Sequence, residues 1–263
     1  MTLRGLRRRR TVKINDKAVS EAIGFVLILG IVITGISLVT LYGYPVLVKE
    51  QSNTDVKNME RAMIVIQNDM KSLCFKNVPY KETSLQVSGG TLEVIDADAS
   101  ARYFRIESTS GYDSGPLKLG ELRYQSDRGT EMITLENGAV MTRQEGATGS
   151  AMLAEPRWFY DNNTQTNEKT LVIYIMNIST EEPMAKSGMG AVKMKQLETL
   201  PIPPISNPGT VTVTYNDPSN EYSTAWNNYL TSTVGMDGSG NTYTLSGATK
   251  LVIKTYEIQI LDI

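Results

Sequence analysis

Residues 22–41 read AIGFVLILGIVITGISLVTL, a stretch without a single charged side chain, and the uncharged run continues to Val48. At about 1.5 Å of rise per residue, a helix over these residues covers roughly 30 Å, the thickness of a bilayer's hydrocarbon core. A helix apolar on every side has to be covered by lipid or by protein. Its few hydroxyl residues, Thr34 and Ser37 among them, can bond back to carbonyls of the preceding turn. No second run of this kind occurs in the sequence. One membrane-spanning helix over residues 19–48 is therefore expected.

The flanks give that span a direction. Residues 1–18 carry Arg4, Arg7, Arg8, Arg9, Arg10, Lys13 and Lys17 against Asp16 alone, a net of +6. These are seven of the 26 basic side chains and one of the 28 acidic ones. Residues 19–263 are left with 19 basic against 27 acidic, a net of −8. Lys and Arg beside a span hold that end in the cytoplasm. The mildly acidic C-terminal part is then extracellular, in a single-pass protein of the cell membrane. An arginine run can also bind nucleic acid or an anionic lipid surface, but here it abuts the span, and no nucleic-acid partner is expected.

The N-terminal segment is a poor fit to an ordinary secretory signal. Such a signal has an apolar core of about 7–15 residues followed by a small-residue cleavage site. This core is longer and runs into Tyr42-Gly43-Tyr44-Pro45. On the other side of the span, Lys17-Ala18-Val19-Ser20-Glu21-Ala22-Ile23-Gly24 sets a charge, a small residue and a polar step just ahead of the apolar helix. This pattern resembles the processing site of archaeal type IV pilins and pilin-like proteins with a class III signal peptide. The resemblance covers about the first fifty residues. It implies a prepilin peptidase as a partner, cutting between Ala18 and Val19 within the site Lys17, Ala18, Val19 and Ser20. The mature chain would have 245 of the 263 residues. The family pattern reads V-S-P-V-I-G, and Glu21-Ala22 replaces the Pro-Val pair here. Glu21 has two readings. It is an assembly contact for the new amino terminus of a neighbouring subunit, as the family implies in another register, or a headgroup-level carboxylate favoured by the helix dipole.

Composition speaks against much chemistry. The chain has no histidine, which removes the commonest general base and metal ligand. The single cysteine, Cys74, closes no internal disulfide and reads as a buried small side chain. No phosphate loop, nucleophile elbow or Cys/His metal spacing occurs. Asp96-Ala97-Asp98-Ala99-Ser100 begins like a calcium loop and has Glu107 at the twelfth place. Ala101 stands where the sharp-turn glycine belongs, and Tyr103–Ile106 alternates as a strand. No enzyme, metal or cofactor is expected. Asn162 and Asn177 open N-glycosylation sequons on the exported side.

Past the span, Pro45 is expected to kink or interrupt the helix. Residues 49–78 then read as an amphipathic helical stalk, ending before Pro79. Val56, Met59, Met63, Ile66, Met70 and Leu73 follow at alternating steps of three and four, a heptad seam. The seam suits docking on the chain's own head or packing between subunits. From residue 79 to 263 the period changes to two. Ser84–Val87 and Thr91–Ile95 flank Gly89-Gly90 as strand, turn, strand, and Asn137-Gly138 marks a hairpin. LVIYIMNI at 171–178 reads as a central strand. Leu200–Pro208, with four prolines, is expected to be a linker or loop and not an inner strand. The fold class is α+β. A long apolar helix continues into an amphipathic one, and an antiparallel β-rich, sandwich-like head follows. The function expected is a pilin-like subunit of a surface filament, in homo- or hetero-oligomers with other pilins. The alternatives are a permanently anchored binding domain and, third, an enzyme on a membrane tether.

Overall fold

The computed structural model describes residues 16–76, 78–197, 199 and 201–263. The arginines of the basic leader lie outside the described residues, as does Leu200 of the proline-rich segment. The chain divides into two units, residues 1–51 and 52–263.

In the first unit, helix α1 (Asp16–Leu38) is followed by one wide π-helical turn (Val39–Gly43), and helix α2 (Tyr44–Lys76) begins directly after it. The apolar side chains are exposed around the whole circumference, from Phe25 (68%) to Ile31 (69%) and Val39 (70%). Three hydroxyls on this stretch find a carbonyl one turn back. Thr34 donates to Gly30 O (2.7 Å), Ser37 to Ile33 O (2.8 Å) and Thr40 to Ile36 O (2.9 Å). No polar side chain of that set is left to face lipid unpaired. Pro45 does not end the helix. The ladder widens just before it, with Tyr44 N–H donating to Val39 O five residues back. Pro45 thus falls in the first turn after the widened segment, where its missing N–H and its ring are tolerated.

The second unit is the head. Its described residues form thirteen strands, antiparallel except where β9 (Glu168–Ser179) runs parallel to β13 (Thr242–Asp262). The main path places β3 (Leu117–Lys118), β2 (Tyr103–Ser108), β11 (Ile205–Asn216), β13, β10 (Met184–Leu197), β1 (Tyr80–Ile95), β4 (Glu121–Ser126), β5 (Glu131–Glu136), β6 (Ala139–Gln144) and β7 (Ser150–Ala154) side by side in that order. β13 is 21 residues long and changes partners along its length. Its first half pairs with β11 (Ile205–Asn216), and its last residues pair with β10 (Met184–Leu197). Two cores result. In one, the apolar stripe of α2 lies with Leu85, Leu92, Leu122, Ile133, Val192 and Ile258. The other is aromatic and collects Phe104, Trp158, Tyr215, Trp226 and Tyr229, with α3 (Ser223–Asn228) contributing Trp226. β9 serves both: Leu171, Ile173 and Ile175 enter the aromatic core, and Met176 and Ile178 the helix-backed one. A strand buried on both faces has to be apolar at successive positions, which is why 171–178 shows so little alternation.

Two sequence expectations are corrected. Gly89-Gly90 is a bulge within one long strand, β1 (Tyr80–Ile95), and not a turn between two. β1 moves there from β10 alone onto β4 (Glu121–Ser126) as well. Gly89 has φ +62°, and a Cβ there would lie 2.7 Å from the Asp55 carboxylate, so helix α2 requires the glycine. The end of the proline-rich segment is strand and not loop: residues 205–208 open β11, which pairs there with β13 alone and is joined by β2 (Tyr103–Ser108) only from Val211. Pro208 is accommodated because it falls at a register shift between Ser206 and Gly209, ahead of Val211 where pairing with β2 begins. A proline in that gap removes no ladder bond. Helix α2 ends at Lys76, short of Pro79, and its residues from Ser52 onward belong to the second unit.

Candidate functional site

The residues singled out from sequence fall in three places. Lys17, Ala18, Val19, Ser20 and Glu21 occupy the first turns of α1, where Ser20 and Glu21 are exposed. Val56, Met59, Met63, Ile66, Met70 and Leu73 are all buried in the helix-backed core, four of them with no exposed surface at all. That stripe is spaced at three and four because only such spacing keeps one face of a helix on a sheet. Polar ties hold its margins. Gln67 Nε2 donates to the carbonyls of Gly138 (2.6 Å) and Glu155 (3.0 Å), and Asp69 accepts from Thr83 (2.6 Å) and pairs with Lys81 (3.1 Å). Cys74 is buried beside them, and burial pushes its thiol up to about 12.

The two sequon asparagines differ in environment. Asn162 is exposed on β8 (Phe159–Asn163), next to a turn in which Asn163 Oδ1 accepts from the N–H groups of Gln165 and Thr166. Asn177 is half-buried on β9, and its side-chain oxygen accepts from Gly120 N–H (3.2 Å). The Asp96 loop is an Asx turn. Its carboxylate accepts from the N–H groups of Asp98 and Thr180, and Glu107 is on β2. No cluster of three or more metal-ligating side chains occurs among the described residues.

Sequence reading missed a buried charge network. Arg102 meets three carboxylates at once: Glu121, Glu136 (2.7 Å) and Glu221 (3.3 Å). Arg143 also pairs with Glu221, and both guanidiniums lie over the Tyr222 ring, at 5.0 and 5.7 Å from its centre. Glu136 is fully buried on β5 (Glu131–Glu136) and accepts from Tyr215 Oη and Trp226 Nε1, both at 3.0 Å. Burial pushes its carboxyl up to about 7, against the pull of Arg102 and those two donors. Burial also works against the charge on Arg102, but Glu136 and Glu121 outweigh it and its pKa is raised. The network ties β4, β5, β6 (Ala139–Gln144) and the loops before β2 and α3 together. The alternation of Glu121 and Glu136 with apolar strand neighbours was its only sequence signal, and the partner Arg102 sits in a loop with no periodicity.

A family model covers residues 17–260, nearly the whole chain. The chain belongs to the family of unknown function DUF7289. That match takes in α1 and the head together, so the apolar helix is part of what defines the family. No curated protein and no solved structure matches the chain. Among the described residues one helix is long and apolar enough to cross a membrane, near the N-terminus, and none of its apolar window is buried. This layout fits a membrane-anchored protein.

Proposed function

We propose that this DUF7289 member is a pilin-like structural subunit of an archaeal cell-surface type IV filament or pseudopilus, with a role in adhesion or surface assembly. The observation that carries the reading is the pairing of an apolar helix, exposed on every side, with the Lys17-Ala18-Val19-Ser20 step at its head. In this reading the leader stays cytoplasmic and the head is exported. A prepilin peptidase cuts after Ala18, and the freed helix exchanges lipid for copies of itself or of other pilins. The head then serves as an interaction surface and not as a catalyst. The exposed Asn162 side chain supports glycosylation there in preference to Asn177, which already holds Gly120.

The test is Ala18→Leu in the native host, followed by shearing of surface filaments. Loss of the leader-free form and of the chain from the sheared fraction is the expected result. Normal processing of the variant would count against the assignment. The second reading, a permanent single-pass anchor carrying a binding domain, is favoured by the same helix if the leader remains.

A further inference from the structure

The head holds a cleft of about 330 Å³ that α2 does not line and that shares only Tyr215 with the charge network. It is lined by Asn216, Asp217, Asn220, Ser223 and Asn241, together with Tyr215 and Tyr243, which are almost fully buried. Both tyrosines are part of the aromatic core, the one α2 does not enter. Its walls come from the end of β11, the turn before α3, and the turn between β12 (Asp237–Ser239) and β13.

Those walls are pinned in place. Asp217 Oδ2 accepts from Tyr222 N–H (2.8 Å) and Ser223 Oγ (3.3 Å), and its Oδ1 from Ser219 Oγ (3.1 Å). Tyr215 N–H donates to Asn241 O (2.9 Å), and Asn216 Nδ2 to Ala101 O (3.1 Å). Two groups are left for a ligand. The Asn220 amide has no partner among the described residues, and Asn241 uses only its oxygen, on the Thr242 hydroxyl (3.3 Å).

The lining selects a ligand class. It contains no Lys or Arg, so a phosphate or carboxylate would find no counter-charge and would meet Asp217. Its wall side chains are polar, so an apolar ligand would strand their donors and acceptors. Primary amides present a donor and an acceptor side by side, which matches neighbouring hydroxyls that are both. The volume is at the small end of ligand pockets, which run from about 300 to 1,000 Å³. It suits one ring and not a peptide. We infer that this cleft binds a neutral sugar residue, held by the Asn220 and Asn241 amides.

Sugar binding resides in the head alone and goes beyond the filament reading, so either can fail without the other. The test is saturation-transfer NMR on the full-length protein in a sugar-free detergent such as an amine oxide. Glucose, galactose, mannose and N-acetylglucosamine are the probes. Transfer to the ring protons of at least one sugar is expected. The paired substitution Asn220→Gly, which removes the amide but tolerates the positive φ of 55° at that position, and Asn241→Ala should weaken it by about tenfold or more, the cost of two lost hydrogen bonds. Both side chains are exposed, so the melting temperature of that variant should be unchanged. Should it fall, Asn241→Asp repeats the comparison with the backbone turn kept. No transfer from any probe, or equal transfer in wild type and the amide variants, overturns the proposal.

Discussion

Residues 23–43 and residues 56–74 are both helical and both rich in Ile, Val, Leu or Met, yet their surroundings are opposite. The first stretch exposes apolar side chains on every side. The other buries a single stripe, with Met63, Ile66, Met70 and Leu73 fully covered and Lys57 and Glu60 at or near the surface. The difference is one of periodicity and not of apolar content. A stripe has one side that needs a partner, and the head's own sheet supplies it. A helix apolar all round needs a solvent, and only lipid or other helices surround it completely. Residues 23–43 therefore depend for their stability on what lies outside the chain, whereas residues 56–74 depend on the chain itself.

The sharpest way to break this comparison is Met63→Lys. A charge placed where no surface is exposed costs about 5 kcal/mol or more, comparable with the whole stability of a domain. The head is expected to lose its cooperative thermal transition. An unchanged melting temperature would mean the seam is not buried.

A paired truncation sharpens it further. Ile66→Ala empties a fully buried site and should cost about 2–5 kcal/mol. Ile31→Ala, 69% exposed before the change, should leave the head's melting temperature where it was. Equal effects at the two positions would erase the distinction between the stretches.

The smallest effect expected is a pH dependence that belongs to the head alone. Glu136 has its carboxyl raised from the ordinary 4.5 to about 7 by burial. Below pH 4.5 both folded and unfolded chains hold this proton, and its contribution to stability is complete. As pH rises, the unfolded chain releases the proton first, so stability falls until the folded carboxyl ionises near 7. The loss amounts to about 3 kcal/mol at most. Asp113, held at about 2 by Arg105 and Gly115 N–H, acts in the opposite sense and only at lower pH. Glu136→Gln should flatten the slope between pH 4.5 and 7 in urea titrations; a slope that survives would move its origin elsewhere.

How far the sequence reveals this molecule follows from the same distinction. The apolar run and the heptad stripe are legible because each is a local pattern whose meaning depends on one element. The Asn137-Gly138 hairpin is legible for the same reason: both residues take positive φ, as the tight turn requires. Gly89-Gly90 misled because glycine marks either a turn or a close approach, and only the position of Asp55 on α2 decides between them. Pro208 misled because its tolerance depends on where β2 begins to pair. The change of partner along β13 and the parallel β9 pairing depend on contacts far apart in sequence. Arg102 and Glu221 are 119 residues apart, so no local pattern joins the partners of the charge network or the walls of the cleft beside it.

The most direct test of the outward-facing helix is N-terminal mass spectrometry of the protein recovered from its native membrane and surface fractions. A chain beginning at Val19 is the result predicted, with the basic leader removed and the helix free to pack with its copies. A chain that keeps the arginines through Lys17 in both fractions would contradict the filament account and leave a permanent anchor in its place.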